Sequence, residues 1–185
     1  MSIIKYGLTI VVASMIFATR FASAAIVNIN SRINNESNPI SLLLDAGAYD
    51  VTPIGITDGG VYDAWNAWNG GQVTGCNSSG ENCSTGWLNW YYFASSEFGE
   101  VSIWDGDRYA SPSLALANSI SASFTLTSSA TVNFYIIDGT NGSAAWDNVG
   151  GISLKVASPV PLPNALYLFI SGAVGLATIK RRKNK

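Results

Sequence analysis

Residues 119–138, SISASFTLTSSATVNFYIID, decide the fold class of this chain. Apolar side chains occupy every second position from Ile120 to Leu126, with serine and threonine between them, and the positions from Val132 to Ile136 repeat the pattern. A period of two places alternate side chains on opposite faces of a strand, so both halves are predicted to be half-buried β-strands. Ser128-Ser129 is a short polar connection between the two halves, and it predicts a hairpin.

Other segments extend the β pattern along the chain. Residues 152–156 alternate in the same way, and strands are also predicted at residues 25–29, 41–44, 48–52, 87–93 and 101–104. The single predicted helix is short, with Ser111 as its N-cap, Pro112 at its first position and residues 113–117 completing it. About eight strands joined by turns rich in glycine and asparagine predict an all-β fold, an antiparallel β-sandwich of the jelly-roll type.

The N-terminus has the three parts of a secretory signal peptide. Lys5 supplies positive charge, residues 7–18 form an apolar core, and Ala22-Ser23-Ala24 has the small residues that signal peptidase accepts. Cleavage is predicted after Ala24. The alternative is a retained anchor, although this apolar core is shorter than the roughly 20 residues that a membrane span needs.

The C-terminus carries a second apolar segment. Residues 165–179 contain no charge, and at about 1.5 Å per residue they reach about 22 Å as a helix, against a hydrocarbon core of about 30 Å. Residues 180–185 are mostly basic and are expected to stay in the cytoplasm under the positive-inside rule. Everything before Pro159 is then outside, in agreement with the signal peptide.

Val160-Pro161-Leu162-Pro163, the short apolar segment and the basic end with Arg181 and Arg182 follow one another in a fixed order. This arrangement resembles the PEP-CTERM sorting signal of exported proteins in Gram-negative bacteria that make exopolysaccharide. The resemblance implies recognition by exosortase in the inner membrane and later removal of the tail. Leu162 stands where the usual motif has glutamate, which leaves the cleavage position open, and an ordinary single-span anchor is the alternative.

These features divide the chain into three parts. Residues 1–24 are a signal peptide, residues 25–158 an exported β-sandwich domain and residues 159–185 a sorting signal, with its motif at 160–163, a transmembrane helix at 164–179 and a basic tail at 180–185. The whole chain has a formal net charge of −2. The predicted domain, however, has three basic residues against all twelve acidic ones, a net charge of −9.

Composition excludes several functions for this domain. Its acidity argues against nucleic-acid binding, which depends on clustered lysine and arginine. The chain has no histidine, so Ser-His-Asp and Cys-His catalysis and imidazole zinc sites are excluded. Cys76 and Cys83 are its two cysteines and are predicted to form a local disulfide, as expected for an exported protein.

The stretch DGTNGSAAWDNVGG, residues 138–151, joins two predicted strands and carries Asp138, Asn141, Asp147 and Asn148. Carboxylate and amide oxygens that converge from one loop are the ligands that Ca²⁺ requires. The alternative interpretation is that aspartate, asparagine and glycine simply form good turns.

A strand that ends in aspartate, a loop, an Asp-Asn pair and an alternating last strand resemble the calcium- and sugar-binding corner of the PA-IL-type galactose-binding lectins. Tyr62 and Trp68 match a tyrosine and a following tryptophan of that family. The resemblance implies calcium ligation by the Tyr62 backbone and by Asp138, Asp147 and Asn148, with sugar hydroxyls bound through the same ion. Here the loop is two residues longer, and the family's sugar-holding histidine is absent.

The six tryptophans all fall in the predicted domain. Indole faces stack on the C–H faces of sugar rings, and Trp65, Trp68 and Trp146 lie in predicted loops, so they are predicted to contact a ligand; the alternative is that they cap the sandwich. Asp105-Gly106-Asp107 offers paired carboxylates of the kind used in glycoside hydrolysis, although a solvated turn explains the same residues.

We therefore expect a non-enzymatic protein that crosses the inner membrane of a Gram-negative bacterium, is anchored there transiently and reaches the cell surface or the biofilm matrix. Its expected partners are signal peptidase and the export machinery, exosortase and extracellular polysaccharide, which the domain would bind with the help of calcium. A structural matrix or adhesin protein without a defined ligand is the second hypothesis, and a glycan hydrolase is the third.

Overall fold

The computed structural model describes residues 24–158. Most of the predicted signal peptide and the whole predicted sorting signal lie outside these residues, including Val160, Pro161, Leu162, Pro163, Arg181 and Arg182. Within residues 24–158, no helix has the length and apolar character that a membrane crossing requires.

The described residues form ten strands and one α-helix. The strands are β1 (Ala24–Asn30), β2 (Ile40–Leu44), β3 (Gly47–Ile54), β4 (Trp65–Asn66), β5 (Trp87–Leu88), β6 (Tyr91–Ser95), β7 (Gly99–Ile103), β8 (Ala122–Leu126), β9 (Ala130–Tyr135) and β10 (Val149–Ala157). The helix, α1, spans Pro112–Ala117, and short 3-10 turns lie at Ile56–Asp58, Thr140–Gly142 and Ala145–Asp147. The all-β prediction is confirmed.

Two antiparallel sheets make up a sandwich-like fold. One sheet has the order β5-β4-β10-β3-β8, with β1 also paired to β10, and the other has the order β2-β9-β6-β7. Strand β10 pairs with β1, β3 and β4. The last described strand in sequence is therefore the one that holds the first sheet together.

The predicted hairpin between residues 119–127 and 131–138 is wrong. Strand β8 pairs with β3, whereas β9 pairs with β2 and β6, so the two strands belong to different sheets. The Glu97 carboxylate holds their connection: it accepts hydrogen bonds from the Thr127 N–H (2.7 Å) and hydroxyl (3.0 Å) and from the Ser128 N–H (3.0 Å) and hydroxyl (2.6 Å). Alternation correctly predicted two strands, but it does not determine which strands pair.

The core lies between the two sheets, where the inward side chains of alternating strands meet. Its fully buried members include Val27, Ile29, Val51, Phe93, Val132, Phe134, Ile136, Ile152 and Leu154. Phe93 is the aromatic centre of this cluster, with ring centroids 5.5 Å from Phe124 and 6.1 Å from Phe134. Burial of these apolar side chains supplies the main favourable contribution to folding.

Two local predictions are also confirmed. Helix α1 begins as expected, because the Ser111 hydroxyl accepts a hydrogen bond from the Leu114 N–H (3.2 Å) and Pro112 occupies the first turn. Cys76 and Cys83 form a disulfide. Because the loop it closes is short, the bond restrains this loop more than it stabilises the whole domain.

Candidate functional site

The stretch 138–148, which we call the corner loop, connects β9 to β10. Gly139 and Gly142 have φ angles of 71° and 73°, in the left-handed region that glycine adopts without steric cost. The loop packs against residues 31–38, which follow β1. There the Glu36 carboxylate accepts a hydrogen bond from the Asn141 N–H (3.1 Å), and the Asn35 amide lies so close to Gly142 that a Cβ atom there would clash.

The structure brings three of the four predicted calcium ligands together. Asp138 is partly buried, and this burial raises the pKa of its carboxyl above the usual value. The negative charge of Asp147 raises that pKa further, while the nearby amide of Asn148 opposes the effect. Asp138 is thus a desolvated acid beside a second acid, an arrangement that costs free energy unless a positive charge compensates it.

Asn148 is fully buried, and one half of its amide has no partner. Its Nδ2 donates a hydrogen bond to the Ser31 carbonyl (3.1 Å), whereas its Oδ1 is buried and accepts none. Buried polar atoms in proteins are nearly always satisfied, so an orphaned acceptor calls for an explanation. A cation near Oδ1 is a chemically suitable one.

The donor set fits a hard cation only in part. Two carboxylates and an amide oxygen are suitable ligands, but Ca²⁺ takes six to eight oxygens. Across residues 24–158, no group of three or more histidine, cysteine, aspartate or glutamate side chains is placed to hold a metal ion. Any calcium in the corner loop would therefore need backbone carbonyls, water or ligand hydroxyls to complete its coordination.

Tyr62, the fourth predicted ligand, is held by β1 and β10. Its hydroxyl accepts a hydrogen bond from the Asn30 side chain (3.0 Å), its N–H donates to the Ser153 hydroxyl (2.9 Å), and its ring lies against Gly151. These contacts fix the tyrosine beside the start of β10. They do not join it to Asp138 or Asp147.

The three predicted contact tryptophans have different environments. Trp146 is 75% exposed and directly precedes Asp147 in the corner loop. Trp68 is partly buried under the Arg108 guanidinium, 5.0 Å from its ring centre, while its neighbour Asn69 donates to the Asp147 carbonyl (3.1 Å). Trp65 is only 2% exposed, so its indole lies in the core and offers no face to a ligand.

A continuous series of ring contacts, which we call the aromatic row, was missed by the sequence interpretation; its last two members belong to the four-stranded sheet. It consists, in order, of Trp68, Arg108, Trp104, Trp90, Tyr92 and Tyr135. Trp90 and Trp104 stack at 4.7 Å and Tyr92 and Tyr135 at 5.8 Å, so the rings cover each other's faces. Period-two alternation in β6, which sends Tyr91 and Phe93 inward, could have placed Tyr92 on the opposite face.

Two further features contain acids but lie outside the corner loop. The Asp105 carboxylate accepts hydrogen bonds from the Asp107 N–H (3.1 Å) and from the Tyr109 hydroxyl, so it organises its own turn. An open groove of about 490 Å³ on the other sheet is lined by Asp50, Thr52, Ile54, Asp58, Lys155 and Ala157. Neither feature brings a carboxyl next to an exposed tryptophan, as the corner loop does.

Comparison of the chain with protein-family models, with curated proteins and with solved structures finds no match in any of the three.

Proposed function

We propose that residues 25–158 are an exported glycan-binding domain whose corner loop binds a sugar with the help of calcium. The observation that carries this proposal is that one loop holds the exposed Trp146 and, two residues later, the buried Asn148, whose Oδ1 has no partner and whose side chain acts on the partly buried Asp138. An exposed indole offers an apolar face to a sugar ring, and carboxylate and amide oxygens are ligands that Ca²⁺ takes.

In this mechanism Asp138, Asp147 and Asn148 would hold the calcium, which would supply positive charge to the two carboxylates and bind sugar hydroxyls. The Trp146 indole offers an apolar face to the C–H side of the same sugar ring, and its exposure leaves that face free. The jelly-roll arrangement of the galactose-binding lectins belongs to this proposal, and the two antiparallel sheets are compatible with it.

We also propose that the domain is an exosortase substrate that passes through a membrane-anchored stage on its way to the cell surface or matrix. The order of motif, apolar segment and basic residues at the C-terminus supports this route. The strand register is compatible with it as well, because Ala24 lies opposite Ala157, so the predicted signal peptide and sorting signal are attached at the same end of one sheet.

Thermal unfolding of the purified exported protein tests the calcium site. At a calcium concentration 100 times the dissociation constant, the domain should gain about 2.7 kcal/mol, or about 10 °C in Tm for a domain of this size. Asp147→Ala should abolish both this gain and retention on the host's exopolysaccharide. Asp58→Ala, a matched change of an exposed acid in the groove, should preserve both. An unchanged Tm in calcium would contradict the site.

The mass of the mature protein tests the sorting route. A chain that lacks residues beyond the motif at 160–163 supports processing by exosortase, and an intact C-terminus in cells that contain the enzyme contradicts it. The second hypothesis is a structural matrix or adhesin protein without a defined ligand. Polysaccharide retention that survives Asp147→Ala would support that second hypothesis.

A further inference from the structure

We propose that Arg32 is the specificity-determining residue of the glycan site and that it selects a sugar that carries a carboxylate. This inference rests on the proposed function of the corner loop. Arg32 lies 114 residues before Trp146 in sequence, yet its Nε (3.1 Å) and Nη2 (2.6 Å) both donate to the Trp146 carbonyl. The guanidinium is therefore fixed to the backbone of the one residue in the described domain whose indole is strongly exposed.

The arginine retains donors for a ligand. A guanidinium has five N–H groups in a rigid fork, and the bonds to Trp146 use Nε and one hydrogen of Nη2. Both hydrogens of Nη1 remain, and the side chain is exposed to solvent. A planar fork with free donors matches the two oxygens of a carboxylate better than a single hydroxyl.

The backbone around Arg32 is also fixed in place. The Arg32 N–H donates to the Asn30 side chain (2.9 Å), and the preceding Ser31 donates from both its N–H (3.2 Å) and its hydroxyl (2.9 Å) to the Gly150 carbonyl. The segment that bears the arginine is thus tied to Gly150, two residues after the corner loop. A preorganised guanidinium loses less conformational entropy when a ligand binds.

Charge makes this position selective. The described domain has three basic residues against twelve acidic ones, so most of its surface repels an acidic glycan. A calcium ion bound by Asp138 and Asp147 would offset those two carboxylates, leaving Arg32 as a positive group at the sugar site. Of the other two basic residues, Lys155 lines the groove with Asp50 and Asp58, and Arg108 packs on the rings of Trp68 and Trp104.

The test compares an oligosaccharide that contains glucuronate with the carboxyl-reduced form of the same oligosaccharide. Both are titrated by calorimetry into the purified, calcium-loaded exported protein. The wild type should bind the acidic form about fivefold more tightly, the upper range for one exposed ion pair. Arg32→Gln should remove this preference, Arg32→Lys should retain part of it, and Lys155→Gln, a matched loss of an exposed positive charge, should leave it unchanged.

The ratio of the two affinities separates a selective role from a structural one. If Arg32→Gln weakens both forms equally, Arg32 merely supports the loop, and the inference is overturned. Equal affinity of the wild type for both forms overturns the inference but leaves the proposed glycan site in place. Binding of neither form overturns the inference and contradicts the glycan site itself.

Discussion

Two leucines offer a matched test of the sheet arrangement. Leu154 lies in β10, opposite Val27 in β1 and Pro53 in β3, and is fully buried, whereas Leu43 in β2 is 77% exposed. Truncation of a buried leucine to alanine loses transfer free energy and leaves a cavity, at a cost of about 3–4 kcal/mol. For the 135 described residues, an unfolding entropy of about 0.28 kcal/mol/K converts this cost into a fall in Tm of about 11–14 °C.

Differential scanning calorimetry of the purified protein and the two variants checks this prediction. Leu43→Ala makes the same chemical change at the surface and should alter stability by no more than about 0.5 kcal/mol, or about 2 °C in Tm. Equal shifts for Leu154→Ala and Leu43→Ala would refute the packing of the inner face of β10 in the core, because burial is what distinguishes the two leucines.

Three other predictions concern charge and close packing. Burial raises the pKa of Asp138, so without calcium this carboxyl contributes stability below its pKa in the unfolded chain, and that stability is lost as pH rises through its pKa in the folded protein. Asp138→Asn should remove this pH-dependent loss of stability and also the stabilisation by calcium. Thermal unfolding at several pH values, with and without calcium, measures both effects. Hydrogen bonds from Ser128 and Thr127 lower the pKa of Glu97 to about 2, so the contribution of this carboxylate to stability is present above pH 4.5 and disappears as pH falls toward 2. Glu97→Gln should therefore make the plot of stability against pH shallower between these values. An unchanged slope would contradict the hydrogen bonds of Glu97 to residues 127 and 128. Gly151→Ala would place a Cβ atom 2.1 Å from the Ile29 carbonyl oxygen and should separate β1 from β10, so the yield of soluble, folded protein should fall. Gly71→Ala is the control: its Cβ atom would lie 3.9 Å from the nearest atom, and this variant should fold normally.

The strands were predictable because burial on one face imposes a period of two on the sequence. The pairing of β8 with β3 was not, because partners in a sandwich are chosen by contacts between distant segments. The carboxylate of Glu97 bonds to residues 30 and 31 positions away, and no local pattern marks it as the group that turns Thr127 and Ser128 toward the other sheet. Strand β4 escaped prediction because Trp65–Asn66 is too short to show any period.

The candidate site was also only partly predictable from the sequence. Asp138, Trp146, Asp147 and Asn148 lie in one loop, so sequence alone could group them by composition and spacing. Arg32 joins them only through the three-dimensional fold, which brings the end of β1 next to the start of β10. Trp65 is predicted to lie in a loop, yet β4 pairs it with Leu88 and Gly150, and its indole is buried in the core.

Strand β10 connects the two halves of the proposed function. It begins at Val149, directly after the corner loop, and ends at Ala157, opposite Ala24 and just before the predicted sorting signal. Nine residues in a strand extend over about 27 Å. In the proposal, therefore, the glycan-site residues Asp147 and Asn148 directly precede one end of β10, and the chain continues toward the predicted sorting signal from the other end. The proposal thus assigns sugar binding and attachment to different ends of β10.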